Sequence, residues 1–210
     1  MNTIEENKKD TNMKKKNTKV YIIIALVGLI IGGGWAFKKF NTNPFFSIGK
    51  VIDNLDGVSV FYNGGVDHVL ERNTAPDGYN LGLKYQCVEF VKRYYYEHFG
   101  HKMPDSYGHA KDFFDPSLAD GAKNLKRDLM QYTNPSATKP KQGDIVIFQG
   151  TLLNRYGHVA IISEVSDQNI EIIQQNPGPF KHSRERFALH HENNVWKIEK
   201  RNLLGWLRKE

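Results

Sequence analysis

Eighteen consecutive residues, Val20 to Phe37 (VYIIIALVGLIIGGGWAF), carry no charge. At about 1.5 Å rise per residue, a helix of this length spans roughly 27 Å, enough to cross a hydrocarbon core. Trp35 lies near the far end, where an aromatic ring favours the membrane interface. Gly32, Gly33 and Gly34 weaken the helix there. Six lysines precede the run and two follow it closely. That asymmetry predicts a cytoplasmic basic tail over 1–19, one transmembrane helix over 20–37, and a body on the far side of the cytoplasmic membrane. The competing reading is a cleaved signal peptide. The run is long for such a segment, and no small-x-small cleavage site follows it. A buried core helix fits less well, because the segment is apolar all round and flanked by lysine.

Charge narrows the function of the rest. The first 40 residues hold eight lysines against three acids, which accounts for +5 of the chain's formal +6 and leaves the body close to neutral. A nucleic-acid-binding domain would carry its own basic face, so no nucleic-acid partner is expected. The single cysteine, Cys87, excludes an internal disulfide and a zinc–thiolate cluster.

After a linker over 38–47, the body over 48–208 reads as one α+β domain. Gly57 to Tyr62 (GVSVFY) alternates at period two and predicts a strand, with a turn at Asn63-Gly64-Gly65. Cys87 to Phe99 (CVEFVKRYYYEHF) places Val88, Val91, Tyr95 and Phe99 at helical spacing before Gly100, an amphipathic helix with a glycine stop. Residues 101–142 predict a connection that shapes a cleft, with a short helix near Leu125 to Met130. Strands are expected at Asp144–Phe148, His158–Ser163, Ile170–Ile173, Val195–Ile198 and Leu203–Leu207. A helix followed by strands points to an antiparallel sheet.

Two side chains suit nucleophilic chemistry. Cys87 opens the predicted helix, where unpaired N–H groups favour a thiolate and can receive an oxyanion. The ordinary alternative is a small buried hydrophobe. His158, in Tyr156-Gly157-His158-Val159-Ala160, stands at a strand lip, and Gly157 lets another chain or a substrate approach closely. His190 and His191 point apart in a strand; His101 and His109 read as solvated. A base needs a third group to fix its tautomer. Gln174 and Asn176, on one face of the next strand by periodicity, are the candidates.

Gln86-Cys87-Val88-Glu89-Phe90, Gly143-Asp144 (GDIVIF), Gly157-His158-Val159-Ala160-Ile161-Ile162 and Gln175-Asn176 together resemble the CHAP family, the cysteine, histidine-dependent amidohydrolases and peptidases. Within it the chain, from about Ile48 to Arg208, is most similar to the amidase domain of glutathionylspermidine synthetase/amidase. The resemblance implies a papain-like fold, a helix carrying the cysteine against an antiparallel sheet, here preceded by the transmembrane helix. It implies Cys87 as nucleophile, His158 as base and no cofactor. The family's third member is a glutamate where this chain has Gln174, and Asn176 matches the family. The calcium loop of some relatives is not evident, since Asp53 and Asp56 make no D-x-D-x-D-G pattern.

The expectation is thus a membrane-anchored cysteine amidase or peptidase acting outside the cytoplasm on peptidoglycan or another peptide amide. The alternatives are an amidase of glutathione–polyamine amides and a tethered binding domain weakened at Gln174.

Overall fold

The computed structural model describes residues 2–152 and 154–210. It forms two compact units, divided between Phe40 and Asn41.

The first unit is one helix, α1 (Asn2–Lys39). It begins well before the uncharged run, since no proline or glycine interrupts residues 2–27. Its apolar side chains, among them Tyr21, Leu29, Ile30 and Ile31, stand exposed. Asn17–Lys39 is long and apolar enough to cross a membrane, a property that anchors and signal sequences share.

The second unit is α+β. β1 (Val51–Leu55) and β2 (Val58–Phe61) form a hairpin. Asp56 and Gly57 turn it with φ of 49° and 86°, the left-handed pair such a two-residue loop needs. β3 (Arg72–Thr74) and β4 (Asn80–Leu83) make a second ribbon. Helix α2 (Cys87–Phe99) follows, then a 3-10 turn at Ala110–Phe113. The remaining strands are β5 (Ala122–Asn124), β6 (Leu129–Thr133), β7 (Ile145–Phe148), β8 (His158–Val165), β9 (Asn169–Ile173), β10 (Arg184–Glu192), β11 (Val195–Ile198) and β12 (Leu203–Arg208). They form one sheet in the order β11-β10-β9-β8-β7-β12-β6-β5, antiparallel throughout.

Both faces of the central strands are buried, which is why β7 and β8 are continuous apolar runs. Ile145, Ile147, Val159, Ile161 and Ile173 pack with Phe90, Val91, Tyr94 and Tyr95 of α2. The alternate residues Val146, Phe148, Ala160, Ile162 and Ile172 form a second core with Phe187 and Trp206. The sheet rolls around this second core. Ser136, beyond β6, exchanges both backbone hydrogen bonds with Trp196 of β11, at 3.0 and 2.7 Å. The Asn134 side chain likewise pairs with both backbone groups of Ile198.

Helix α2 ends where Gly100 turns left-handed, its N–H reaching Tyr96 O. The helix is tied to the sheet by Tyr95 Oη, which donates to Gly143 O at 2.9 Å. Beside it, Arg208 grips buried Asp144 through two bonds of 2.9 and 2.7 Å. The Gly-Asp pair before β7 thus joins helix to sheet.

One expectation is corrected. Leu125–Asp128 is a turn and not a helix, with Asp128 left-handed at φ 54°; Leu129 and Met130 already belong to β6. Asn41 and Asn43 are docked onto the body: Asn43 is buried and its Nδ2 donates to Pro179 O at 2.7 Å.

Candidate active site

Cys87 is the first residue of α2, following Gln86 in extended conformation. What holds it there is Glu89, half a turn further on and 0% exposed. Its carboxylate accepts from Asn73 Nδ2, Arg93 Nε and Gln175 Nε2, each at 2.7 Å. Arg93 also reaches Ser59 O at 2.8 Å, and Gln175 Oε1 accepts from Phe61 N at 2.8 Å. One buried carboxylate therefore binds the helix start to β2, to β3 and to the chain leaving β9. Three donors, two on Oε1 and one on Oε2, compensate the carboxylate, the condition under which a buried charge is tolerable.

His158 opens β8. Before it, Gly157 sits at φ 75°, and a Cβ there would lie 2.5 Å from Phe148 O and 3.1 Å from Lys111 N. The close approach expected of this glycine is made by the protein's own backbone. His158 Nε2 lies 2.9 Å from Gln174 Oε1. The amide orientation is fixed because Gln174 Nε2 donates to His182 O at 3.3 Å. With an acceptor at Nε2, the neutral ring carries its proton there and leaves Nδ1 as the basic nitrogen.

Cys87 and His158 interact directly. Burial pushes the Cys87 thiol up, but the charge and hydrogen bond of His158, with the Val159 and Val88 N–H groups, bring it below its ordinary value. Burial pulls His158 down, yet the charge and hydrogen bond of Cys87 and the bond from Gln174 raise it overall. Both directions favour a thiolate–imidazolium pair.

Residues 77–176 match the CHAP domain family. The chain carries a CHAP domain. All four expected site residues, Cys87, His158, Gln174 and Asn176, fall inside the matched segment. Over 167 residues the chain is 29% identical to trypanothione synthetase of Crithidia fasciculata, covering 78% of this chain and 25% of that protein. It is 30% identical over 112 residues to bifunctional glutathionylspermidine synthetase/amidase of Escherichia coli (strain K12), covering 52% of this chain and 18% of that protein. The chain thus spans a quarter or less of the length of these relatives.

Within the CHAP domain, Gln174 and Asn176 do not share a strand face. β9 ends at Ile173, and Asn176 is left-handed at φ 58°. Asn176 Nδ2 donates instead to Val66 O and Gln86 Oε1, both at 2.9 Å, while Gln86 Nε2 donates to His68 O at 2.6 Å. These bonds clip the 63–68 loop beside the cysteine. The other histidines stand apart. His101 is buried against Arg127 O at 2.9 Å, contrary to the solvated reading. His109 rests on Tyr156, and His191 stacks on Trp196. Sequence reasoning missed Glu89, Arg93 and Gln175 as the frame of the site. The i,i+4 spacing of Glu89 and Arg93 was the available signal.

Proposed function

We propose that this CHAP domain is a cysteine amidohydrolase with Cys87 as nucleophile and His158 as its acid–base partner. The observation that carries the reading is the lone cysteine at a helix start, paired with a histidine whose far nitrogen is held by Gln174 Oε1. The thiolate attacks the amide carbonyl, forming a C–S bond. The Cys87 N–H, one of the donors a helix leaves unpaired at its start, faces the oxyanion. The His158 Nδ1–H passes its proton to the departing nitrogen as the C–N bond breaks, leaving an acyl-thioester and an amine. Nδ1 then takes a proton from water, whose oxygen attacks the thioester, and a carboxylic acid leaves as the thiolate returns. Gln174 orients the ring without lending it charge. Asn176 serves as a brace for Gln86 and the 63–68 loop. A nucleophile-bearing helix against a base-bearing antiparallel sheet agrees with a papain-like arrangement.

We read α1 as a single membrane anchor with the CHAP domain outside the cytoplasm, and peptidoglycan stem peptides or cross-bridges as the amides it meets. The similarity to a glutathionylspermidine synthetase/amidase favours a second substrate, a glutathione–polyamine amide. Incubating the purified full chain with peptidoglycan fragments and with glutathionylspermidine, and detecting new carboxyl and amine ends by mass spectrometry, separates the two. Release from neither, by a protein that still binds one of them, would overturn the hydrolase reading and leave a tethered binding domain.

A further inference from the structure

We propose that the CHAP domain binds a small zwitterion, one short molecule with an ammonium and a carboxylate, in a groove that contains neither Cys87 nor His158. The groove measures about 360 Å³. Its polar lining comes from Ser59 of β2, Asn73 of β3, Lys84 just after β4, and Arg93 and Glu97 of α2. It lies wholly within the second unit.

The frame around Glu89 leaves charged groups with unused bonding capacity here. Arg93 is 6% exposed. Its Nε donates to Glu89 Oε1 and its Nη2 to Ser59 O, and the rings of Phe61 and Phe90 lie 4.9 and 5.8 Å from the guanidinium carbon. Among the described residues nothing bonds to Nη1, so one end of a guanidinium that is already immobilised remains for a ligand. A carboxylate meeting it incurs no further cost of ordering that side chain. Lys84 Nζ donates to Glu71 at 2.8 Å and has two more N–H groups. Glu97 is exposed and stands one helical turn beyond Arg93, a spacing that allows an ion pair. Arg93 turns to Glu89, four residues before it, so Glu97 has no ion pair or hydrogen bond among the described residues. The groove therefore holds two cations, Lys84 and Arg93, and the unpaired carboxylate of Glu97. A plain anion would meet the repulsion of Glu97, and a plain cation that of Lys84 and Arg93. A molecule with both charges suits both ends, which is the chemistry of an amino acid or a short peptide.

The test reads binding and not turnover, so its outcome is independent of the hydrolase reading. Saturation-transfer difference NMR on the purified full chain, in deuterated detergent micelles, measures the affinities of glycine and glycylglycine. Acetate and methylamine serve as ligands carrying one charge each. The expected result is saturable binding of at least one zwitterion, with acetate and methylamine both weaker. Glycine and glycylglycine hold the same two charges at different spacings, so the tighter one assigns the source, a free amino acid or a short peptide. Lys84→Gln and Glu97→Gln, each shown to be folded by thermal unfolding, should each weaken that binding about two- to fivefold, the range of one solvent-exposed ion contact. The absence of saturable binding by either zwitterion would overturn the site. Acetate or methylamine binding as tightly as the zwitterions would also overturn it, as would an affinity unmoved by both substitutions.

Discussion

At the scale of single residues, Gln174 is the point where the orienting group is neutral. Gln174→Glu replaces a neutral acceptor at His158 Nε2 by a carboxylate, at the cost of the 3.3 Å bond to His182 O. The gain of a charge-assisted bond predicts a turnover higher by about ten- to thirtyfold and a higher His158 pKa, read from the pH–rate profile. Unchanged turnover together with an unchanged profile would show that position 174 does not orient the ring. Asn176→Ala should behave differently. It removes bonds to Gln86 and Val66, so loss of activity should come without any shift of the His158 titration. The pair also sets the pH response. Cys87 is held low and His158 high, so thiolate and imidazolium coexist between the two titrations. Activity should fall on the acid side as Cys87 protonates and on the alkaline side as His158 loses its proton. In His158→Ala the charge and hydrogen bond that lower Cys87 are lost, so the midpoint of its iodoacetamide alkylation should move to higher pH. An unmoved midpoint would mean that His158 does not set the thiol's ionisation.

At the scale of elements, the site depends on how one helix start is pinned to three strand segments. Glu89→Ala leaves Arg93 buried without its ion and Gln175 Nε2 with only its 3.1 Å bond to Gln86 O. Breaking one side of a buried pair costs about 3–5 kcal/mol, so denaturant unfolding should show a loss of that order. A loss below about 1 kcal/mol, the range of an exposed pair, would remove Glu89 as the hub. The helix carrying Cys87, β7 and the strand carrying His158 were legible in the sequence because their apolar patterns are strong: CVEFVKRYYYEHF at helical spacing, DIVIF and HVAIIS as continuous runs. The polar elements were not. β3 (RNT) and β5 (AKN) are three residues each and take their shape from their neighbours, which no local period reports. Leu125 to Met130 looked helical over a window too short to separate a turn from a helix, and the left-handed Asp128 decides for the turn. Gln174 and Asn176 were placed on one face by assuming that β9 continued. The strand stops at Ile173, so the period of two no longer applies. The bonds that Asn73 and Gln175 give to Glu89 join residues 16 and 86 positions apart, beyond what spacing alone reveals.

For the whole molecule, the reading couples a hydrolytic domain to a membrane helix. Reporter fusions at the carboxy terminus test the topology. Alkaline phosphatase should be active and a cytoplasm-only fluorescent protein dark; the opposite pattern would put the CHAP domain in the cytoplasm and favour the glutathione–polyamine amide. Every version of the account requires the same covalent step at Cys87. The most direct measurement is therefore amide hydrolysis by the purified full chain and its Cys87→Ala variant on one substrate, with thermal unfolding confirming that both are folded. The account predicts a fall of at least about a thousandfold, as expected when a nucleophile is removed. Wild-type turnover in folded Cys87→Ala would contradict it.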